Sequence, residues 1–166
     1  MRVSRRAVVI PDQHFPIHDE KAVKVTLKAL EMIKPDTFIN LGDVGEWETV
    51  SAWRWKRKKK PPLEYQLPAI DKDYEYNEPL KIGKINFIHG AYATNLHAKK
   101  HLLAYGENII YGHTHDVQRH TLTRLGGTIA AWSLGCLKDM SPKKNKWMQG
   151  RPHNWGHAFA IVDWFT

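Results

Sequence analysis

The sequence predicts an α/β fold, on three observations. It opens as strand, helix, strand: a β-branched run at Arg6–Ile10, an amphipathic stretch at Asp19–Lys34 and a second apolar run at Thr37–Leu41. That order is the signature of a crossover connection in a sheet. The alternation resumes further on, and each of four apolar runs stops just before Asp or His. The length adds a bound, because 166 residues that are 42% hydrophobic can build one core and not comfortably two, so a single domain over 1–166 is expected.

The first run, Arg6–Ile10, ends at Pro11, directly before Asp12 and His14. From Asp19 to Lys34 the apolar residues Val23, Leu27, Leu30 and Ile33 recur at spacings of three and four, with acids in front and Lys34-Pro35 behind, which predicts a helix. Thr37–Leu41 is closed by Gly42-Asp43. Next, the stretch Trp53–Pro62 sets two tryptophans among six cationic residues and then two prolines, which reads as an exposed loop. Its alternative reading is a nucleic-acid contact through Trp53, Arg54, Trp55, Lys56 and Arg57, with rings stacking on bases and cations following phosphates. Lys84–His89 is a third predicted strand, Asn95–Tyr105 a helix, and Asn108–Tyr111 a fourth strand running into Gly112-His113-Thr114-His115. Strands are also predicted at Gly127–Leu134 and Ala158–Trp164. In the loop between them, Lys143-Lys144-Asn145-Lys146-Trp147 repeats the chemistry of the basic run.

Composition narrows the function classes. A formal charge of +8 favours anionic partners, nucleic acid among them. No apolar run approaches the roughly 20 residues a bilayer span needs, and the basic start lacks an apolar stretch long enough for a secretory signal. The expectation is a soluble, unexported, cytoplasmic protein, of unstated oligomeric state. One cysteine, Cys136, can form neither an internal disulfide nor a thiolate cage and reads as a buried core thiol.

Ten histidines are a surplus for this length. Strand ends present Asp12 with His14, Asp43, His89, and His113 with His115, and residues spaced i, i+2 in extended chain point to one side. In open α/β sheets such residues meet beyond the carboxyl ends of the strands. Mixed carboxylate and imidazole donors suit Mn, Fe, Zn, Ni or Co. The set is too large for one ion with an open position, so two divalent ions are expected, manganese first among them. His97 and His101 have helical i, i+4 spacing, but Lys99 and Lys100 between them suggest a solvated face. His18, His120 and His153 read as surface or loop residues. His157, just before the last strand, could support a ligand or touch a phosphate.

Through Asp12-Gln13-His14, Gly42-Asp43, His89-Gly90 and Gly112-His113-Thr114-His115, in that order, the chain resembles the calcineurin-like metallophosphoesterases. The resemblance implies a four-layered α/β/β/α sandwich of two mixed sheets, with metals at the strand ends. It implies Asp12, His14 and His115 on a first metal, His89 and His113 on a second, and Asp43 bridging both, with Asp43 and His113 carrying the catalysis. The implied chemistry is hydrolysis of phosphate esters by a metal-activated water, in a small stand-alone enzyme of the phage or bacterial type. The positive charge sets a phosphodiesterase or nuclease slightly ahead of a monoesterase.

The sequence departs from that pattern at one place. The family's central Gly-Asn-His-Asp/Glu motif belongs between Asp43 and His89, and neither Asn77 nor Asn86 there is followed by His. Either the chain lacks this segment, or residues are skipped near Lys72–Tyr76. The rival reading is a degenerate phosphoesterase fold that binds nucleic acid without turnover.

Overall fold

The computed structural model describes residues 2–45 and 79–166. The basic run with Trp53, Arg54, Trp55, Lys56 and Arg57, and the suspected gap near 72–76, lie outside them.

The chain forms β1 (Val3–Ile10), α1 (Glu20–Ile33), β2 (Thr37–Asn40), β3 (Leu80–Ile82), β4 (Ile85–Ile88), α2 (His97–Tyr105), β5 (Asn108–Tyr111), β6 (Val117–Arg124), β7 (Gly127–Leu134) and β8 (Ala160–Phe165). Among the described residues two sheets result, in the orders β2-β1-β8 and β3-β4-β5-β7-β6. Both are mixed: β1 runs parallel to β2 and antiparallel to β8, while β4, β5 and β7 run parallel, with β3 and β6 antiparallel at the edges.

Side-chain alternation along the strands sets the layers. On β1, Ala7 and Val9 face one way and pack with Ile39, Leu41, Phe87, Ile110 and Leu134 in a core between the sheets. Val8 and Ile10 face the other way, against Ala22, Val23, Leu30 and Ile33 of α1. On β5, Ile110 joins the inter-sheet core, whereas Ile109 and Tyr111 pack under Ala98 and Leu102 of α2. The order of layers is therefore α1, three-stranded sheet, five-stranded sheet, α2, which is the α/β/β/α sandwich expected.

Local chemistry fixes the ends of α1. Asp19 caps its start by accepting from the Ala22 N–H, and Lys34 closes it in a left-handed conformation. The parallel pairing turns the carboxyl ends of β1 and β2 to one edge of their sheet, and those of β4, β5 and β7 to one edge of theirs. An isolated bridge from Asp12 to Cys136 joins the two edges, and one from Phe15 to Gly45 ties the loops after β1 and β2. Among the described residues no helix is long and apolar enough to cross a membrane.

The second helix corrects the sequence reading. His97 and His101 do not lie on a solvated face: both are fully buried, with the His101 ring stacked on Tyr111 at 3.9 Å, and only Lys99 and Lys100 between them are exposed. The spacing was right for one helical face, but that face meets the sheet. His101 accepts the Ala91 N–H at Nε2 (2.9 Å) and donates from Nδ1 to the His97 carbonyl (2.8 Å), so its partners require the neutral ring. His97 meets the Tyr111 hydroxyl at 2.6 Å. Burial lowers the pKa of both histidines. A lowered pKa means the unfolded chain binds protons more readily, so stability is full above about pH 6.5 and declines as the pH falls through the folded values. The melting temperature is expected to drop as pH falls from about 7 to 5, and His101→Gln should flatten part of that slope. Equal slopes in the two proteins would refute this account.

Candidate metal centre

Four loops leave the strand ends, and backbone bonds tie them together before any side chain is considered. The Asp43 carbonyl accepts from Gln13 N–H (3.1 Å) and His14 N–H (2.9 Å), locking the β2 loop to the β1 loop. The Gly112 N–H donates to the His89 carbonyl (2.8 Å), locking β5 to β4. Across the sheets, the His113 N–H donates to Asp12 Oδ2 (2.8 Å), and His89 Nδ1 donates to the Leu41 carbonyl (3.2 Å). Helix α2 takes part as well, because His101 holds Ala91, two residues beyond His89.

The side chains so placed form two groups. His14 Nε2 and His115 Nε2 lie 2.9 Å apart, and His115 Nε2 is 3.4 Å from Asp12 Oδ2. His113 Nδ1 and His89 Nε2 lie 3.1 Å apart. Asp43 sits between the pairs, with Oδ2 3.9 Å from His14 Nε2 and 3.5 Å from His89 Nε2. Donor atoms of Asp12, His14 and His115 lie within 4.8 Å of one another, as do those of Asp12, Asp43 and His89. His113 completes neither trio and enters through its contact with His89. Asp12, His14 and His115 are buried, whereas Asp43 and His113 open to solvent, so one half of the cluster is deep and the other accessible.

The donor set fits divalent cations. Asp12 is wholly buried, and its Oδ1 has no hydrogen-bond partner among the described residues. Two imidazole nitrogens 2.9 Å apart suit a common ion at about 2.1 Å from each. With its Nδ1–H given to Leu41, His89 keeps Nε2 free as a lone pair, the usual way an outer partner fixes a ligand's tautomer. Burial alone would raise the Asp12 carboxyl, but contacts with His115 and His89 outweigh it and hold the group well below the usual carboxylate range. On His89 burial works downward, yet Asp12 and Asp43 lift its pKa above the ordinary value. Burial lowers the pKa of His113, with the neighbouring His89 adding to the effect. Adjacent rings are thus pushed apart in pKa.

Backbone strain marks the same residues. Among the described non-glycine residues, six have positive φ: Lys34 and Gln149 close helical turns, and the other four are His14 (56°), Asp43 (40°), His113 (68°) and His115 (62°). Such conformations cost on the order of 1–3 kcal/mol each and gather at functional sites. Glycines make room beside them. A Cβ on Gly112 would fall on Asp12 Oδ1, and one on Gly90 would lie 2.7 Å from the His113 Cβ.

All six sequence-predicted ligands, Asp12, His14, Asp43, His89, His113 and His115, therefore meet at one rim. His157 is occupied elsewhere: its one ring hydrogen bond among the described residues is from Nε2 to the Lys138 carbonyl (3.0 Å). Asn86, inside β4, donates to Glu107 and to the Asn108 carbonyl and is no ligand. The sequence reading missed Trp155, whose ring meets His115 edge-on at 4.7 Å. Its signal is its place two residues before His157 in the Asn154-Trp155-Gly156-His157 stretch. Cys136 is buried as expected, and burial pushes its thiol up to about 12.

Fold and site together define a class: a four-layered α/β sandwich with a carboxylate and imidazole cluster at converging strand ends. No family model matches the chain. It is similar to the Gene 54 protein of Mycobacterium phage L5, 20% identical over 227 residues, spanning 96% of this chain and 89% of the phage protein. Those 227 positions exceed the 166 residues here, so part of the phage protein has no counterpart in this chain. It is also similar to the structure of Vacuolar Protein Sorting 29 from Cryptosporidium parvum, 18% identical, covering 81% of this chain and 76% of that one, with a TM-score of 0.47.

Proposed function

We propose that this chain is a metal-dependent hydrolase of phosphate esters, a metallophosphoesterase of the calcineurin-like kind, acting on phosphodiesters ahead of monoesters. The observation that carries the reading is the place of Asp43, one carboxylate oxygen of which reaches toward both histidine pairs, at 3.9 and 3.5 Å. Asp12, His14 and His115 would hold one divalent ion, manganese first among the candidates with Fe, Zn, Ni or Co behind it. His89 and His113 would hold a second, and Asp43 both. When bound, such a pair supplies a water of lowered pKa and a clamp on the phosphoryl oxygens.

The chain's own residues set the conditions for that chemistry. Asp12, fully ionised and dry, supplies charge where solvent cannot screen it. The Leu41 carbonyl orients the His89 ring, and the Asp12 carboxylate lies 3.5 Å from the same Nδ1. His113, whose pKa burial lowers, stands at the exposed half of the cluster with Nδ1 3.1 Å from His89 Nε2. The net charge of +8 favours the approach of anions.

A second reading rests on the absence of a Gly-Asn-His sequence between Asp43 and His89. It takes the chain as a nucleic-acid-binding protein on a degenerate phosphoesterase fold, with a cytoplasmic site of action in either case. One assay separates the two. The chelated protein is given Mn, Ni, Zn or Mg and offered chromogenic phosphodiester and phosphomonoester substrates. Metal-restored hydrolysis, faster on the diester, is the expected result. A protein inert with every metal that still binds DNA or RNA with steep salt dependence would replace the first reading by the second.

A further inference from the structure

An open cleft of about 390 Å³ adjoins the cluster, with His113 and His115 in its lining. One wall is aromatic. Trp155 meets His115 at 4.7 Å and 78°, and Trp147 lies 6.0 Å beyond Trp155, tilted by 40°. His153 flanks Trp155 at 4.6 Å. The lining also includes Thr94 and Asn95, both exposed. Trp147 is 49% exposed, a poor use of an indole whose only task is packing.

Its loop is anchored beneath. Asn145 is buried and donates to the Asp139 and Ser141 carbonyls, and Met148 is buried beside it. The Trp155 backbone is pinned to Asp116, and the Gly156 N–H donates to the His115 carbonyl (3.0 Å). Lys143, Lys144 and Lys146, in the segment that carries Trp147, and Arg151, between the two tryptophans in sequence, are exposed. Fixed aromatic faces among cations, leading inward to a phosphate-seeking centre, match the chemistry of a stacked base whose backbone is held by charge.

We infer that Trp147 and Trp155 form a stacking platform for a nucleobase, so that the phosphate delivered to the cluster belongs to a nucleotide or a nucleic-acid strand. This rests on the phosphoester reading for the centre, and it adds the substrate's other half.

The test is calorimetric binding to the full chain with manganese present, comparing adenosine 5′-monophosphate with ribose 5-phosphate. The nucleotide is expected to bind more tightly by about 5- to 150-fold, the range one stacked base contributes. Trp147→Ala should erase that difference, while Trp147→Phe keeps most of it. Equal affinity for the two phosphates, or an unchanged nucleotide affinity in Trp147→Ala, would overturn the platform. Failure of the metal centre looks different, because neither phosphate would then show manganese-dependent binding. In that event adenosine binding to the metal-free chain, and its loss in Trp147→Ala, still decides the platform.

Discussion

Asp43→Asn is expected to lower metal-dependent hydrolysis by at least about 100-fold, because the clamp on the phosphoryl group contributes several kcal/mol to the transition state. The substitution is informative because it changes little else. Asp43 has a φ of 40°, and Asn tolerates the left-handed region as well as Asp does. The Asp43 carbonyl, not its side chain, holds the Gln13 and His14 amides, so the two loops stay locked. The side chain is 43% exposed, and Asn matches its shape, so the substitution leaves neither a void nor a clash. The lost property is charge between the histidine pairs. Calorimetric titration with manganese should show the open half of the cluster weakened more than the buried half. Hydrolysis undiminished in the variant would remove Asp43 from the bridging position.

The parts legible in the sequence share a physical cause. β5 and β7 fall at their expected bounds, and β1, β2, β4 and β8 within a few residues of them, because buried strands bounded by glycine, proline or ligand residues are strongly punctuated. Helix α1 was legible from its period and from Asp19, which does cap it. β6 was not: Val117–Arg124 alternates polar residues with few apolar ones, since it is an edge strand with mostly exposed side chains. β3, Leu80-Lys81-Ile82, alternates apolar and charged residues but is too short, at three residues, to stand out as a strand. The histidines of α2 were misread because two lysines implied a wet helix. Lysine at i+2 and i+3 shows only which side is wet, not that the opposite side is.

The candidate ligands were legible because each follows a strand end, and parallel pairing brings those ends to common edges. What linear reading cannot supply is the cross-tie. Nothing in the sequence shows that the His113 amide binds Asp12, that Leu41 orients His89, or that His101 fastens Ala91. Those bonds join residues 10 to 101 positions apart. The wall of the cleft was hidden similarly, since Trp155 comes to His115 from 40 residues away.

Gly112→Ala should be a damaging single-methyl change in the centre. The added Cβ would overlap Asp12 Oδ1, and the carboxylate cannot retreat easily, because Oδ2 is held by the His113 amide and the residue is fully buried. Overpacking of this kind costs about 1–3 kcal/mol, or several degrees of melting temperature in a domain of this size. The second effect concerns the ion. A metal at about 100 times its dissociation constant stabilises the folded chain by about 2.7 kcal/mol, and a displaced Asp12 forfeits that gain. Thermal melts with and without manganese therefore read both terms. The parent chain should melt higher with the metal, whereas Gly112→Ala should melt lower without it and respond little when it is added. Gly126→Ala provides the reference, since a Cβ there meets nothing within 4 Å and should shift stability by no more than about 0.5 kcal/mol. If the variant binds manganese as the parent does, Asp12 is not the deep ligand that its burial and its two histidine neighbours make it.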